Sequence, residues 1–400
     1  MKTMKNIIKC LTASLLVVNL SSCVDLDPEP LSFFAPENTF MDKEGLEALL
    51  ITSRKQIKWE WFGDAFNAGY CETPLVYEYA WSDISVMGAP EVKEIHNLET
   101  QLTPTTNMAL HLRYWDLAWN GIKYANTLIS RVPKSNIDNE DDKNQLLAEG
   151  YFHRAYWYYL LVNQWGDVPL LLEEVTGPKL DFYSTSRMKI LQQMKTDMEF
   201  AVKWLPKNVQ PGCVSRAAGE HLLAKIYLCT GDFQFAVDAT TRCINDYGLH
   251  LMKERFGVNA SDASLDVFND LFQEDNISAS ENKEAIFVVQ ERYGIEGNVA
   301  PKGSARMRNF VPYWCNGAAV KTPDGKQGTT YDAGPYEGYE WVEKLGRGIA
   351  KIRPTNYSQY AIWGKCGNDI RHNDNNWFNI SRLTYNRPAS KGGSEEYFGT

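Results

Sequence analysis

Apolar side chains recur at intervals of three and four residues through most of the segment 107–250, and no other feature limits the possible folds as strongly. This spacing predicts five helices, at Asn107–Arg131, Leu146–Trp165, Ser186–Leu205, Arg216–Thr230 and Phe233–Tyr247. A further helix is predicted before them, at Asp42–Trp59. Because short connections make successive helices antiparallel neighbours, the sequence predicts a mainly α-helical scaffold.

The last two predicted helices carry the small-residue pattern of a tetratricopeptide unit. The matching positions are Ala224, Tyr227, Gly231, Ala236 and Cys243. Small side chains let two antiparallel helices approach closely, and the tyrosine fills the gap beside them. A single unit cannot bury its own apolar face, so the neighbouring helix pairs are expected to stack against it. A generic helical hairpin is the alternative.

The N-terminus has the parts of a bacterial lipoprotein signal. Three lysines precede an apolar run at Cys10–Leu20, which is long enough for a signal peptide and too short to span a bilayer. The string LSSC then ends at Cys23, whose thiol is the group that lipidation requires. We therefore predict a signal peptide over residues 1–22 and a lipidated cysteine with an acidic tether over residues 23–41. A plain secretory signal with a coincidental cysteine is the alternative.

The composition is that of an acidic globular protein, with a net charge of −9 over 400 residues. A nucleic-acid-binding surface normally carries a basic excess, so no nucleic-acid partner is expected. The sequence has no HExxH, GxSxG or phosphate-loop motif, and its six histidines lack the spacing of metal ligands. We therefore predict no metal site and no cofactor, and no motif favours an enzyme. A glycosidase carboxylate pair leaves no mark in a sequence because it is defined by a distance in space.

Two loop-rich regions, 60–105 and 290–400, contain aromatic rings beside polar side chains. The ligand-binding candidates are Trp81, Asp83, Tyr313, Trp314, Asn316 and Trp341. An aromatic plane stacks on the apolar face of a sugar ring, while carboxylate and amide groups bond hydroxyls at the ring edge. Packing within the loops and contact with a partner protein are the competing interpretations.

Smaller expectations concern local structure. The acidic residues at 138–142 are expected to form a solvated loop, and Ala285–Val289 is expected to be a short strand or a buried segment. No clear helix is predicted over 291–400. The cysteines after Cys23 show no CxxC spacing, which leaves a single disulfide open.

Several strings in the chain together resemble the SusD/RagB family of outer-membrane glycan-binding lipoproteins. The most specific is LLAEGYFHRAYWYYLLVNQWGDVPLL, whose matching residues are Glu149, Arg154, Ala155, Gly166, Asp167, Val168 and Pro169. The others are SSCVDLDPEP, ENTF, GIKYANTLISRVP with Asn126, VSRAAGEHLLAKIYLCTGD and NKEAIF. They follow the family order from Cys23 to Phe287. His153 departs from the pattern, since the family usually has leucine there.

The resemblance implies one domain over residues 42–400, with a tetratricopeptide-containing scaffold mainly at 107–250 and an irregular ligand face at 60–105 and 290–400. It also implies a lipid-anchored protein at the surface of the outer membrane. Such a protein captures oligosaccharide without cleaving it and delivers it to a SusC-like TonB-dependent transporter. Capture of peptide or another non-glycan nutrient, a pure scaffold, and a surface glycoside hydrolase are the alternatives. The family's closing helical segment is missing, so we expect the natural chain to continue past Thr400.

Overall fold

The computed structural model describes residues 40–61, 79–80, 82–88, 103, 105, 109–292, 295, 309–316, 319–332 and 339–400. The predicted signal peptide, Cys23 and most of the tether lie outside this part of the chain. So do Trp81 and most of the predicted loop region 60–105.

The described residues contain eight α-helices and four short strands. In chain order the helices are α1 (Lys43–Trp61), α2 (Ala109–Arg131), α3 (Glu140–Trp165), α4 (Arg187–Trp204), α5 (Arg216–Thr230), α6 (Phe233–Asn245), α7 (Val267–Leu271) and α8 (Glu340–Leu345). The strands are β1 (Ser85–Met87), β2 (Val168–Pro169), β3 (Ser184–Thr185) and β4 (Ile352–Pro354). The six predicted helices are therefore confirmed as α1 to α6.

Helices α1 to α6 pack in order, each against the next one along the chain. Helix α3 lies at the centre of this array and contacts α1, α2, α4 and α5. Its side chains Trp157, Tyr158 and Leu161 are fully buried in the main core. A helix that buries apolar side chains on several faces belongs in the interior, so the core is built around α3.

Gly121 sets the distance between α2 and α3. A Cβ atom at this position would lie 2.0 Å from Nε1 of Trp157, which is closer than packed atoms can approach. Only a residue without a side chain lets the indole of Trp157 lie against the backbone of α2. Trp119 and Trp165 pack against the same core.

Helices α5 and α6 have the tetratricopeptide arrangement that the sequence predicts. Gly231 joins them in the left-handed conformation with φ 81°, which glycine adopts without steric cost. The four other positions of the pattern are buried, namely Ala224, Tyr227, Ala236 and Cys243. The scaffold is therefore a tetratricopeptide-like helical array.

The expectation that the acidic residues before Leu146 form a solvated loop is wrong for most of them, because α3 begins at Glu140. The side chain of Asn139 accepts hydrogen bonds from the amides of Asp141 (2.8 Å) and Asp142 (3.3 Å). Acidic side chains in a first turn face the positive end of the helix dipole. The acidic run is therefore the start of the helix.

The region after α6 is largely irregular. Ala285–Val289 forms no strand; Ile286, Phe287 and Val289 are half-buried and pack against the helical core, so the segment is only partly buried. Helix α8 corrects the expectation that no helix follows residue 291. Among the helices described, none is both long enough and apolar enough to cross a membrane.

Candidate functional site

Glu149, Arg154 and Ala155 of the most specific sequence motif are buried within the helical scaffold. Arg154 on α3 donates through Nε to Asp197 on α4 (2.8 Å) and through Nη1 to Asn126 on α2 (3.2 Å). The amide of Asn126 donates in turn to the carbonyl of Leu171 (2.9 Å). Burial raises the pKa of Asp197, against the opposing effect of the Arg154 charge. These bonds tie three helices together and explain Arg154 and Asn126 without a ligand.

A second pair from this motif links α3 to α1. Arg54 donates to both carboxylate oxygens of Glu149, through Nε (2.6 Å) and Nη2 (2.8 Å). His153 is fully buried one turn further along α3, with Nε2 3.7 Å from Oε1 of Glu149. Burial acts to raise the pKa of Glu149, but the interactions with His153 and Arg54 outweigh it, and the pKa is lowered.

The end of the motif forms a turn. Gly166 ends α3 with φ 73°, and the carboxylate of Asp167 accepts a hydrogen bond from the amide of Arg187 (2.8 Å), the first residue of α4. Val168 is buried and lies opposite Thr185 in the β2–β3 pair. Each of these residues has a structural role, so the candidate binding surface lies elsewhere.

An antiparallel strand pair joins the two loop regions that carry the predicted ligand residues. In this pair, Val86 of β1 lies opposite Arg353 of β4. Thr355, directly after β4, donates through Oγ1 to the backbone carbonyl of Asp83 (2.8 Å). The side chain of Asp83 is exposed beside this junction.

A third segment, 309–316, packs against the same junction. The amide of Ala350 donates to the carbonyl of Val311 (3.0 Å). A Cβ atom on Gly348 would lie 2.0 Å from the carbonyl oxygen of Pro312, so these two backbones are in direct contact. We call the surface built from 79–88, 309–316, Tyr331 and 346–355, as far as the structure describes them, the loop face.

Tyr313, Tyr331 and Arg347 form an aromatic and cationic group on the loop face. The guanidinium carbon of Arg347 lies 4.9 Å from the ring centre of Tyr331 and 5.7 Å from that of Tyr313. Tyr331 is 43% exposed and Tyr313 is 37% exposed. A guanidinium held against ring faces is attracted by their quadrupoles, so the group presents two accessible rings around one positioned positive charge.

The neighbouring candidates are more enclosed. Trp314 is only 4% exposed, and its indole N–H donates to the carbonyl of Gly346 (2.9 Å). Its ring therefore packs inside the protein and presents no open plane to solvent. Asn316 is half-buried, and its backbone carbonyl accepts from the amide of Val320 (2.8 Å).

Trp341 lies on α8, away from the two tyrosines in sequence. Its indole N–H donates to Oγ1 of Thr384 (3.0 Å), and its ring meets Phe378 edge to face at 5.4 Å.

Of the predicted ligand residues, Asp83 and the segment Tyr313–Asn316 are brought together on the loop face. Contact of any candidate with a ligand stays a prediction.

Tyr331 and Arg347 are the loop-face residues that sequence reasoning missed. Arg347 lies 34 residues after Tyr313 in the sequence, although the side chains of these two residues are hydrogen-bonded. No local pattern marks such a contact, because it depends on how the irregular segments fold back. The sequence signal that could have indicated Arg347 is a basic residue close to strings that are rich in aromatic residues.

In a second aromatic cluster, in the C-terminal region, the rings pack against one another. His372 stacks on Trp363 with ring centres 4.7 Å apart, and Trp377 contacts both rings. Arg371 lies over Trp363 and pairs with Asp369, and this hydrogen bonding lowers the pKa of Asp369 to about 2. Because these rings cover one another, the cluster holds this loop region together and presents no open aromatic plane to a ligand.

Within the described ranges, no group of three or more histidine, cysteine, aspartate or glutamate side chains is arranged to hold a metal ion. The cysteines in those ranges form no disulfide with one another, namely Cys213, Cys229, Cys243, Cys315 and Cys366. Cys71 lies outside them.

Residues 72–228 match the model of a SusD-like family described as starch-binding and associating with the outer membrane. A curated relative, SusD-like protein P2 from Formosa agariphila, is 29% identical over 240 residues. The match covers 59% of this chain and 46% of that protein, so the chain spans about half the length of the curated relative.

Solved structures share the fold. A SusD-like carbohydrate-binding protein from Bacteroides fragilis matches with a TM-score of 0.55 at 18% identity, over 79% of this chain and 52% of that one. Surface glycan-binding protein A from Bacteroides thetaiotaomicron matches with a TM-score of 0.54 at 17% identity, over 80% and 60%. With the motif residues placed in the helical scaffold, the family model and these relatives agree that this chain is similar to SusD-like proteins in residues 72–228 and in its helical fold.

Proposed function

We propose that this protein binds oligosaccharide through its loop face without cleaving it. The observation that carries the proposal is the group of Tyr313, Tyr331 and Arg347, in which two accessible rings flank a positioned cation. Sugar rings stack on aromatic planes, and their hydroxyl groups bond charged and amide groups at the edge. The exposed Asp83 lies on the same surface, and Thr355 donates to its backbone carbonyl.

The family description supports a saccharide ligand and an outer-membrane location. The relative from Bacteroides fragilis is itself described as carbohydrate-binding. We propose further that Cys23 carries the lipid anchor, that the protein faces the cell exterior, and that it passes its ligand to a SusC-like TonB-dependent transporter. A peptide or other non-glycan nutrient is the alternative cargo, and a surface glycoside hydrolase is the alternative activity.

The loop face predicts weak binding. Each stacked ring contributes on the order of 1 kcal/mol beyond its buried area, so two rings give dissociation constants between micromolar and millimolar. Weak binding suits a protein that must release its ligand to a transporter.

Tyr313→Ala and Tyr331→Ala are each expected to weaken polysaccharide binding about fivefold, because each removes one stacking plane. The measurement is calorimetric titration of the chain without its signal peptide and with Cys23→Ser, against starch, laminarin, xyloglucan and polygalacturonate. Tyr183→Ala is the matched control, since Tyr183 is 81% exposed on a loop beside β3 and should leave binding unchanged. Full affinity in both site variants would place the ligand elsewhere.

Delivery is tested separately from binding. The tagged, lipidated protein is expected to co-purify with a TonB-dependent transporter from detergent extracts of its native outer membrane. Recovery of the protein without any transporter, under conditions that preserve a known transporter complex, argues for capture without delivery.

A further inference from the structure

We propose that residues 175–183, which we call the apolar loop, are a second contact of this protein with the membrane. Leu180, Phe182 and Tyr183 enter the headgroup region of the bilayer beside the lipid tether. This inference rests on the proposed lipid anchor at Cys23 and is independent of saccharide binding. It comes from the exposure of the apolar loop and from the point where the tether joins the fold.

The apolar loop leaves the scaffold between β2 and β3, and each of its nine residues is exposed. Leu180 is 97% exposed and Tyr183 is 81% exposed, and the side chains of Val175 and Phe182 are exposed beside them. Large apolar side chains on the surface of a soluble protein are usually scattered singly. Four of them within nine residues therefore mark a contact surface.

The base of the apolar loop is fixed to the end of α2. Both carboxylate oxygens of Glu174 accept hydrogen bonds from Arg131, at 2.8 and 2.9 Å. The amide of Glu174 donates to Oγ of Ser130 (2.9 Å). At its other end the loop runs into β3, where Ser184 lies opposite Pro169 of β2. The apolar residues are thus carried on a base that the scaffold holds at both ends.

The tether joins the fold at this same base. Phe40 lies 17 residues after Cys23 and packs against apolar residues of α1, α2 and α3. The guanidinium carbon of Arg131 lies 5.7 Å from the ring centre of Phe40, and the same guanidinium binds Glu174. A chain of 17 residues spans at most about 60 Å. A lipid on Cys23 therefore holds this end of the molecule, with the apolar loop, toward the bilayer.

The size of the apolar surface favours lipid over a protein partner. The four side chains expose on the order of 500 Å², whereas each partner in a stable protein interface covers about 800 Å². Residues 175–183 also form no helix or strand that could pair with another protein. A bilayer surface needs no matching shape, and a tyrosine can bury its ring there while its hydroxyl stays in water.

The charges within the apolar loop are compatible with this position. Lys179 pairs with Asp181 at 3.0 Å, and its amine lies 5.7 Å from the ring centre of Phe182. The two charged groups that flank Leu180 thus neutralise each other. Because irregular backbone is not tolerated in the hydrocarbon core, the contact stays at the level of the headgroups.

Charge does not drive the contact. The exposed Glu173 lies at the loop base, and the acidic residues at 138–142 lie near the tether, since the amide of Asn136 donates to the carbonyl of Met41 (2.6 Å). This end of the protein has no basic excess that would attract an anionic surface. The contact is therefore apolar, and it should depend little on salt or on anionic lipid.

A second contact changes what the anchor can do. A single attachment point restrains the distance of the protein from the bilayer and leaves its orientation open. Two neighbouring contacts restrain both, so the apolar loop gives the protein one preferred orientation on the membrane.

The test is hydroxyl-radical footprinting of the lipidated protein in phosphatidylcholine vesicles, with the Cys23→Ser chain in solution as the reference. We expect oxidation of Leu180, Phe182 and Tyr183 to fall about threefold, because these side chains become buried at the headgroup boundary. Phe272 is the reference residue in the same samples, since it is exposed directly after α7. The protection should persist as NaCl rises from about 0.05 to about 0.5 M and should not increase with phosphatidylglycerol.

Two double variants locate the contact. In Leu180→Ser, Tyr183→Ser, oxidation of Phe182 in vesicles should equal that in solution, and both replaced side chains are exposed, so the fold is preserved. Phe233→Ser, Ile244→Ser is the matched control, because it removes two exposed apolar side chains from α6. This control should keep the protection of the apolar loop.

The outcomes separate this inference from the proposed function. The mass of the N-terminal peptide reports whether Cys23 carries lipid. A lipidated protein whose apolar loop is oxidised equally in vesicles and in solution overturns the inference and leaves the anchor and saccharide binding intact. A Cys23 without lipid overturns both the anchor and the inference, while the glycan titrations still test saccharide binding.

Two further results also contradict the inference. Protection in native outer-membrane fragments without protection in pure lipid vesicles identifies a protein partner at the apolar loop. Protection that disappears at high salt shows a contact made by charge and not by apolar side chains.

Discussion

Gly121 and Trp157 show at the scale of single residues how the scaffold excludes larger side chains. In an exposed helix, replacing glycine by alanine gains about 1 kcal/mol of helix propensity. Gly121→Ala instead places a methyl group 2.0 Å from the buried indole, so we expect a loss of about 1–3 kcal/mol in the free energy of unfolding. Chemical denaturation followed by circular dichroism measures this difference.

The control for this variant is Gly177→Ala. No heavy atom lies within 4 Å of the Cβ position at Gly177, and the expected change is within about 0.5 kcal/mol. Wild-type stability in Gly121→Ala would mean that α2 and α3 are further apart than described here.

Single residues also mark where sequence reasoning reached its limit. Tyr313 and Asp83 were predicted because an aromatic ring beside a polar neighbour is visible in a short string. The burial of Trp314 was not predicted, because the sequence around Trp314 resembles the sequence around the exposed Tyr313. Whether a ring faces inward depends on the distant backbone that accepts its N–H, here the carbonyl of Gly346.

The contact between α1 and α3 gives a pH-dependent prediction at the scale of elements. The pKa of Glu149 is lowered in the folded protein, so its contribution to stability is complete above its ordinary pKa of about 4.3 and is lost as pH falls through the folded pKa. Glu149→Gln should therefore cost about 1–3 kcal/mol at neutral pH and flatten the acid side of the stability curve. Urea denaturation between neutral pH and about pH 2 tests both effects.

Glu395→Gln serves as the matched control, because Glu395 is exposed near the C-terminal end of the described residues. Its acid stability curve should follow the wild type. A Glu149→Gln curve with the wild-type slope would show that the Arg54–Glu149 pair does not stabilise the fold.

Asp266 joins α7 to the C-terminal irregular region. Its Oδ1 caps α7 by accepting from the amide of Asn269 (3.2 Å), while Oδ2 accepts from the side-chain amides of Asn373 and Asn376 (2.8 Å each). Replacing Asn373 and Asn376 by alanine removes this tie and keeps the cap. We expect faster hydrogen exchange over 369–382 and unchanged exchange in α3, measured by mass spectrometry.

Asn375→Ala controls for the loss of an amide in the same turn, since the side chain of Asn375 is exposed. Slow exchange over 369–382 in the double variant would show that other contacts hold this region.

Elements differ in how well the sequence predicts them. Helices α1 to α6 could be predicted from the spacing of apolar residues, because a helix is a local structure whose period appears directly in the sequence. The β1–β4 pair joins residues separated by most of the sequence, and strands of three residues carry too little pattern to predict their partner. The start of α3 was missed because its acidic first turn has the composition of a loop.

At the scale of the whole molecule, the helical scaffold and the loop face place their arginines in different surroundings. Arginines of the scaffold form ion pairs with carboxylates, such as Arg154–Asp197, and these pairs position the helices. On the loop face, Arg347 lies against the rings of Tyr313 and Tyr331, and Arg353 is exposed. Motif residues therefore account for the resemblance to the family, whereas the proposed ligand contacts lie on a surface that the motifs do not include.

The central claim is that the loop face binds saccharide and leaves it intact. The most direct test is calorimetric titration of the signal-free chain carrying Cys23→Ser with the polysaccharide panel, with reducing ends counted in the same samples. We predict saturable binding, a constant number of reducing ends, and loss of binding in the Tyr313→Ala, Tyr331→Ala double variant. Reducing ends that increase with time, or binding that the double variant retains, would contradict the claim.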